Sequence, residues 1–104
     1  MRKKARQHLT AIIYDKRGNV LSIGNNSYVK SHPLQAKHAF KMGEPHKINL
    51  HAEIHAITRL RNIEGAYKIS VFRYGRNGDP ILAKPCNICM SAIRATNIKI
   101  IEHT

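Results

Sequence analysis

His51-Ala52-Glu53-Ile54-His55-Ala56-Ile57, followed further along by Pro85-Cys86-Asn87-Ile88-Cys89, is the stretch from which the rest of this chain can be read. Imidazole nitrogen and thiolate sulfur are good zinc ligands, and three protein ligands with one open position mark a catalytic site, since a structural site closes with a fourth. His51, Cys86 and Cys89 make three. Zinc at such a centre lowers the pKa of a water in the open position to about 7. Glu53, two residues after His51, can face the metal without ligating it and act as both base and acid. Pro85 and the apolar-rich run from Ile88 to Ile93 predict that Cys86 lies at a helix N-terminus, where backbone N–H groups and the macrodipole favour the thiolate. Cys89 would follow one turn later.

Three blander readings compete with a catalytic zinc. A lone C-x-x-C can be a redox dithiol, but a dithiol has no use for His51 and Glu53. A structural zinc knot needs a fourth ligand. His55 is the candidate, yet on a helix it sits one turn beyond His51, where a partly buried supporting histidine is the commoner outcome. A zincin-like protease requires H-E-x-x-H, and here the glutamate is misplaced within His51-Ala52-Glu53-Ile54-His55.

Composition fits one small domain spanning residues 1–104, with 42% hydrophobic residues and enough length for one core but not two. No internal repeat, low-complexity tract or linker interrupts it. No apolar run approaches the ~20 residues that span a bilayer, and Met1-Arg2-Lys3-Lys4 is not followed by a signal-length apolar region. No membrane partner is expected, and the cytoplasm is the expected location. Two cysteines in this spacing suit a reducing compartment with metal bound.

Strand and helix signals alternate, which predicts an α/β layered domain. Leu9 to Tyr14 and Asn19 to Gly24 read as a hairpin around Asp15-Lys16-Arg17-Gly18. Ser31-His32-Pro33 and Gly43-Glu44-Pro45 bracket a short helix from Leu34 to Met42. Leu50, Ile54, Ile57 and Leu60 have helical spacing within Leu50 to Ile63, with Gly65 as a stop. His51 and Glu53 would then look out from the first turn of this helix. Lys68 to Tyr74 reads as a strand, Gly75 to Pro80 as a loop, Asn87 to Thr96 as the cysteine helix and Ile98 to Ile101 as the last strand. Two helix N-termini would meet at one zinc.

With these residues in view, the chain resembles the cytidine and deoxycytidylate deaminase superfamily, whose pattern is His-x-Glu followed by Pro-Cys-x-x-Cys. Relatives include tRNA adenosine deaminases and polynucleotide cytosine deaminases. The resemblance covers nearly the whole chain, and histidine as first ligand is similar to the deoxycytidylate and tRNA branches. It implies a three-layer fold with a mixed sheet flanked by helices, in a short version trimmed at the C-terminus. It implies one Zn2+ per chain on His51, Cys86 and Cys89, with Glu53 as the catalytic residue. Asn26, in Ile23-Gly24-Asn25-Asn26, would contact the substrate sugar, Asn25 being the alternate alignment. The backbone of Ala52 would donate to the base and the carbonyl of Lys84 would accept from its exocyclic amine. A turn residue after a strand is the plainer reading of Asn26. The sequence stops after the strand near Ile101, where larger relatives resemble one another in having a further strand and helix over the substrate. A homo-oligomer could supply that cover. No other cysteines exist for a second zinc site.

Charge is the second clue. Eighteen Lys and Arg against six Asp and Glu give a net charge of +12, more than one nucleotide phosphate requires, as in many nucleic-acid-binding proteins. Arg2, Lys3, Lys4 and Arg6 form a basic arm, and Arg59, Arg61, Arg73 and Arg76 flank the predicted helix and strand. The aromatics able to stack unpaired bases are few, chiefly Tyr28, Tyr67, Tyr74, Phe40 and Phe72, and charge runs usually lie on solvated faces. The leading expectation is hydrolytic deamination of a small-molecule cytosine nucleotide, deoxycytidylate or cytidine type, to its uracil product. The alternative is deamination of cytosine or adenine within single-stranded DNA or RNA, including a tRNA loop. A non-catalytic, zinc-stabilised nucleic-acid-binding module is the third reading, and Glu53 argues against it, because a structural site has no need of a carboxylate beside its ligands.

Overall fold

The computed structural model describes residues 8–75 and 77–104. The basic arm of Arg2, Lys3, Lys4 and Arg6, and Arg76 of the second group, lie outside these residues.

The chain begins with a hairpin of β1 (Thr10–Tyr14) and β2 (Val20–Asn25). Asp15 organises its turn: the carboxylate accepts from the backbone N–H groups of Arg17 and Asn19 at 2.9 and 2.8 Å and from the Asn19 amide at 3.0 Å. Gly18 takes the left-handed φ of +88° that closes it. Helix α1 (Pro33–Lys41) starts with proline in its first turn and with His32 as N-cap, whose Nδ1 accepts from the Leu34 N–H at 3.0 Å. Then come α2 (Ala52–Thr58), a single 3-10 turn at Ile63–Gly65, β3 (Lys68–Phe72), α3 (Asn87–Arg94) and β4 (Ile100–His103). The four strands make one mixed sheet in the order β2-β1-β3-β4, antiparallel except for the parallel β3–β4 pair. Parallel neighbours need a crossover, which α3 provides.

Alternation along the strands decides the core. Ala11, Ile13, Ile69 and Val71 point to one face and are fully buried against Ile54 and Ile57 of α2 and Ile88 and Ile93 of α3. Each fully buried isoleucine contributes roughly 1.5–3 kcal/mol. Helix α2 rests on β2 with almost nothing between them. Ser22 Oγ donates to the Ala56 carbonyl at 2.8 Å, and a Cβ placed on Gly24 would overlap the backbone at Ala52 and Ala56. Helix α3 packs beside α2, and α1 seats against both.

The mixed sheet and the helices of the expected α/β fold are therefore present. Of the two helical layers expected to flank the sheet, the described residues form the one over Ala11 and Val71, because all three helices share a single core. The opposite face carries Ile12, Ile23 and Ile100, and Ile23 is 44% exposed. Among the described residues no helix is long and apolar enough to cross a membrane.

Several element ends differ from expectation. The helix predicted over residues 50–63 runs only from Ala52 to Thr58. Leu50 is held out of it by long-range backbone bonds: its N–H donates to the Lys30 carbonyl at 2.9 Å and its own carbonyl accepts from the Ser27 N–H at 2.8 Å. At the other end Leu60 N–H reaches the Ile57 carbonyl at 3.2 Å, an i to i−3 bond that tightens and closes the helix. Strand β3 stops at Phe72, since Tyr74 pairs instead with Pro80 across the Gly75 loop. The last strand lies two residues later than predicted, in register with β3 through Ile69 opposite Ile101.

Candidate metal centre

Two helix N-termini converge, and each offers a metal donor where a cap would ordinarily stand. His51 is the N-cap residue of α2 and Cys86 that of α3, and neither side chain makes a capping hydrogen bond. Cys89 lies in the first turn of α3, fully buried. His51 Nδ1 stands 3.2 Å from Cys89 Sγ and 3.5 Å from Cys86 Sγ. All three donor atoms lie within 4.8 Å of one another. Tetrahedral zinc, with Zn–S about 2.3 Å and Zn–N about 2.0 Å, places nitrogen and sulfur ligands about 3.5 Å apart. The His51, Cys86 and Cys89 cluster thus fits one zinc ion per chain in both donor type and spacing.

The electrostatics single out Cys86 as the thiolate of the cluster. Hydrogen bonding from the Cys89 thiol, with further help from His51, lowers the Cys86 thiol to about 3. The Cys89 thiol is driven up, first by that hydrogen bond to Cys86 and then by burial. The hydrogen bond to Cys86 raises His51. The proton held on Cys89 must leave when a cation binds. Glu53, in the first turn of α2, is only 4% exposed, and burial raises its carboxyl above the usual range.

His55, the candidate fourth ligand, does not join the cluster. Its Nδ1 faces the Asn25 backbone and accepts from that N–H at 3.0 Å, so it ties α2 to the end of β2. Asn26 is placed by Leu9, whose N–H donates to Asn26 Oδ1 at 2.9 Å. Asn26, Ala52, Glu53, Lys84 and Cys86 all line one cavity of about 460 Å³. The residues expected from the sequence to serve metal, proton transfer and substrate are therefore gathered in one place.

Other contributors escape a reading of the sequence. Tyr28, which the sequence offers only as a stacking aromatic, lines the cavity with His46 and Asn49. His46 and Asn49 come from the loop before α2, held by the pairing of Asn49 with Ser31, a contact no local pattern announces. Gln35 of α1 is fully buried. It donates from Nε2 to the Lys47 carbonyl at 3.0 Å and accepts at Oε1 from the His51 N–H at 3.2 Å. A glutamine on the buried side of an otherwise ordinary amphipathic helix is the available signal. The basic residues read from the sequence are dispersed: Arg59 caps α2 at the end away from His51, and Arg73 follows β3.

A family model described as the cytidine and deoxycytidylate deaminase zinc-binding region matches residues 1–102. No curated protein matches the chain.

Proposed function

Because the chain belongs to the cytidine and deoxycytidylate deaminase family, we propose that it is a hydrolytic deaminase converting a cytosine nucleotide, of deoxycytidylate or cytidine type, to its uracil product with release of ammonia. The observation that carries this reading is the buried carboxylate of Glu53 in the same cavity as a His51, Cys86 and Cys89 cluster spaced for zinc. Zinc on those three donors would supply Lewis-acid activation of water near neutral pH.

Hydrolysis adds the oxygen of water to C4 of the ring and breaks the bond from C4 to the exocyclic nitrogen. One proton must reach N3 and another must reach the leaving amine. Glu53 takes one proton from water and passes it to N3, then takes the second from the new hydroxyl on C4 and passes it to the leaving amine, so that one buried carboxyl serves as base and acid. The Ala52 backbone, at the N-terminal end of α2, donates to the ring carbonyl. The Lys84 carbonyl, next to Pro85, accepts from the exocyclic amine. Asn26, already oriented by Leu9, contacts the sugar.

A second reading, cytosine or adenine within single-stranded DNA or RNA, draws support from the net charge of +12. The two are separated by offering zinc-loaded protein deoxycytidylate and a cytosine-containing single-stranded oligonucleotide in parallel, with Glu53→Ala as the blank, and following mass. Each deamination adds about one mass unit. Conversion of neither, at a rate above the blank, would sink the reading as a cytosine deaminase.

A further inference from the structure

A second concave surface adjoins the metal cavity. It has a volume of about 450 Å³ and runs along the exposed side of α3, lined by Lys41, Lys84, Pro85, Asn87, Met90 and Arg94 among others. Lys84 lines both this groove and the metal cavity, and Cys86, two residues on, lines the latter. The two surfaces therefore meet at Lys84-Pro85-Cys86.

Three features of the groove point to its occupant. First, it carries three exposed cations and no acid, and among the described residues Lys41, Lys84 and Arg94 form no ion pair, whereas Lys47 nearby is bridged to Glu44 at 2.8 Å. Second, Asn87, Met90 and Arg94 recur at the i, i+3, i+7 spacing of one helical stripe, so the row follows α3 from end to end. Eight residues at about 1.5 Å each extend about 12 Å, further than a single phosphate reaches. Third, the half-buried Met90 and the buried Pro85 add apolar groups to the lining that carries the cations, and a polarizable thioether packs well on an aromatic ring. Cations and apolar groups lining one groove suit a nucleotide that follows or precedes the one in the metal cavity.

We propose that this groove is a subsite for the neighbouring nucleotide of a single-stranded nucleic acid, with Lys41 and Arg94 neutralising its phosphodiesters while the target base enters the metal cavity. The inference rests on the deaminase reading above and selects the polynucleotide among its substrates. DNA and RNA present the same phosphodiester chemistry here, and the test separates them.

The test uses the full-length, zinc-loaded chain and the double variant Lys41→Gln/Arg94→Gln. Turnover is measured on deoxycytidylate, cytidylate and cytosine-containing DNA and RNA oligonucleotides of equal length. Oligonucleotide binding is measured by fluorescence anisotropy across a salt series, in a Glu53→Ala background with and without the two groove substitutions. The groove predicts at least a ~10-fold loss of oligonucleotide kcat/KM in the double variant with mononucleotide kcat/KM unchanged. It also predicts a plot of log K against log salt shallower by about 1.4, because two phosphates of a single strand are no longer neutralised. The sugar whose oligonucleotide shows the larger loss is the one the subsite accepts. Unchanged oligonucleotide binding in the variant, equal losses on mononucleotide and oligonucleotide, or no oligonucleotide binding by the parent protein would each overturn the subsite. Absence of all turnover together with a groove-dependent loss of binding would overturn the deaminase reading and leave the subsite standing.

Discussion

Cys86 and His51 occupy the same post on different helices: each is an N-cap residue, and Cys86 Sγ lies 3.5 Å from His51 Nδ1 where both would otherwise turn back to cap their own backbone. Two helices thus start without side-chain caps so that their first residues can hold a metal. Replacing Cys86 by serine should separate the two duties. Serine is a favoured cap, worth about 1 kcal/mol. In chelator, Cys86→Ser should melt at or above the temperature of wild type, while added zinc should raise the wild-type melting temperature and leave the variant unmoved. Stoichiometric zinc retained by the variant would contradict the ligand assignment.

Glu53→Gln should bind zinc as wild type does, since the side chain is not among the donors, and should lose at least ~10²-fold in deamination rate. Metal content by mass spectrometry and a turnover assay on the same preparation check both halves. Wild-type turnover in this variant would exclude Glu53 as the proton carrier.

Gln35 is buried with both ends of its amide engaged, to the Lys47 carbonyl and the His51 N–H. Gln35→Met keeps the bulk and abandons both partners, at about 1–3 kcal/mol for each polar group left buried and unpaired. The expected outcome is a lower melting temperature together with weaker zinc binding in a competition titration, because His51 loses its backbone anchor. A fall in melting temperature with zinc affinity intact would assign Gln35 to packing alone.

Asn26→Asp retains an oxygen to accept from the Leu9 N–H but no longer offers an amide to the cavity. Its melting temperature should match wild type while its kcat/KM for a cytosine nucleotide falls about tenfold or more. Asn26→Ala should lose on both counts. Equal activity of Asn26→Asp and wild type would reduce Asn26 to a turn residue.

Burial, with Lys37 and Lys41 close by, holds the His38 imidazole below its ordinary range, and its Nδ1 lies 2.9 Å from Ser91 Oγ where α1 packs on α3. The unfolded chain takes up a proton near pH 6.5 that the folded chain resists, so the unfolded state binds more protons below that pH and stability falls as pH drops through it. His38→Asn keeps a polar atom for Ser91 and cannot titrate. Thermal melts from pH 7.5 down to 5.5 should show a smaller decline for the variant than for wild type. Parallel declines would place the titrating group elsewhere.

The metal donors and the carboxylate beside them are legible in the sequence because zinc chemistry is written in short spacings: His51 and Glu53 flank the start of one helix, and Cys86 and Cys89 the start of another. The hairpin is legible for a similar reason, since Asp15 through Asn19 form a turn by local bonds. Leu50 shows where local pattern fails. Its spacing with Ile54 and Ile57 is helical, yet Lys30 and Ser27, far away in sequence, hold it in an extended loop. The same loop brings His46 and Asn49 to the cavity, and nothing in their immediate neighbours says so. Charge behaves likewise: the total is plain, but only folding shows that Arg59 ends α2 away from the metal donors while Lys41, Lys84 and Arg94 share one groove.

Gly24 has no functional group and does not line the cavity, yet the seat of α2 on β2 leaves no space for even a methyl group there. A genetic screen for loss of deamination should therefore recover substitutions at position 24 beside those at the metal donors, and they would be mistaken for lesions of chemistry. For an engineer the same contact sets a limit: the cavity can be recut from its loops, but the distance from sheet to helix is a fixed dimension of the molecule.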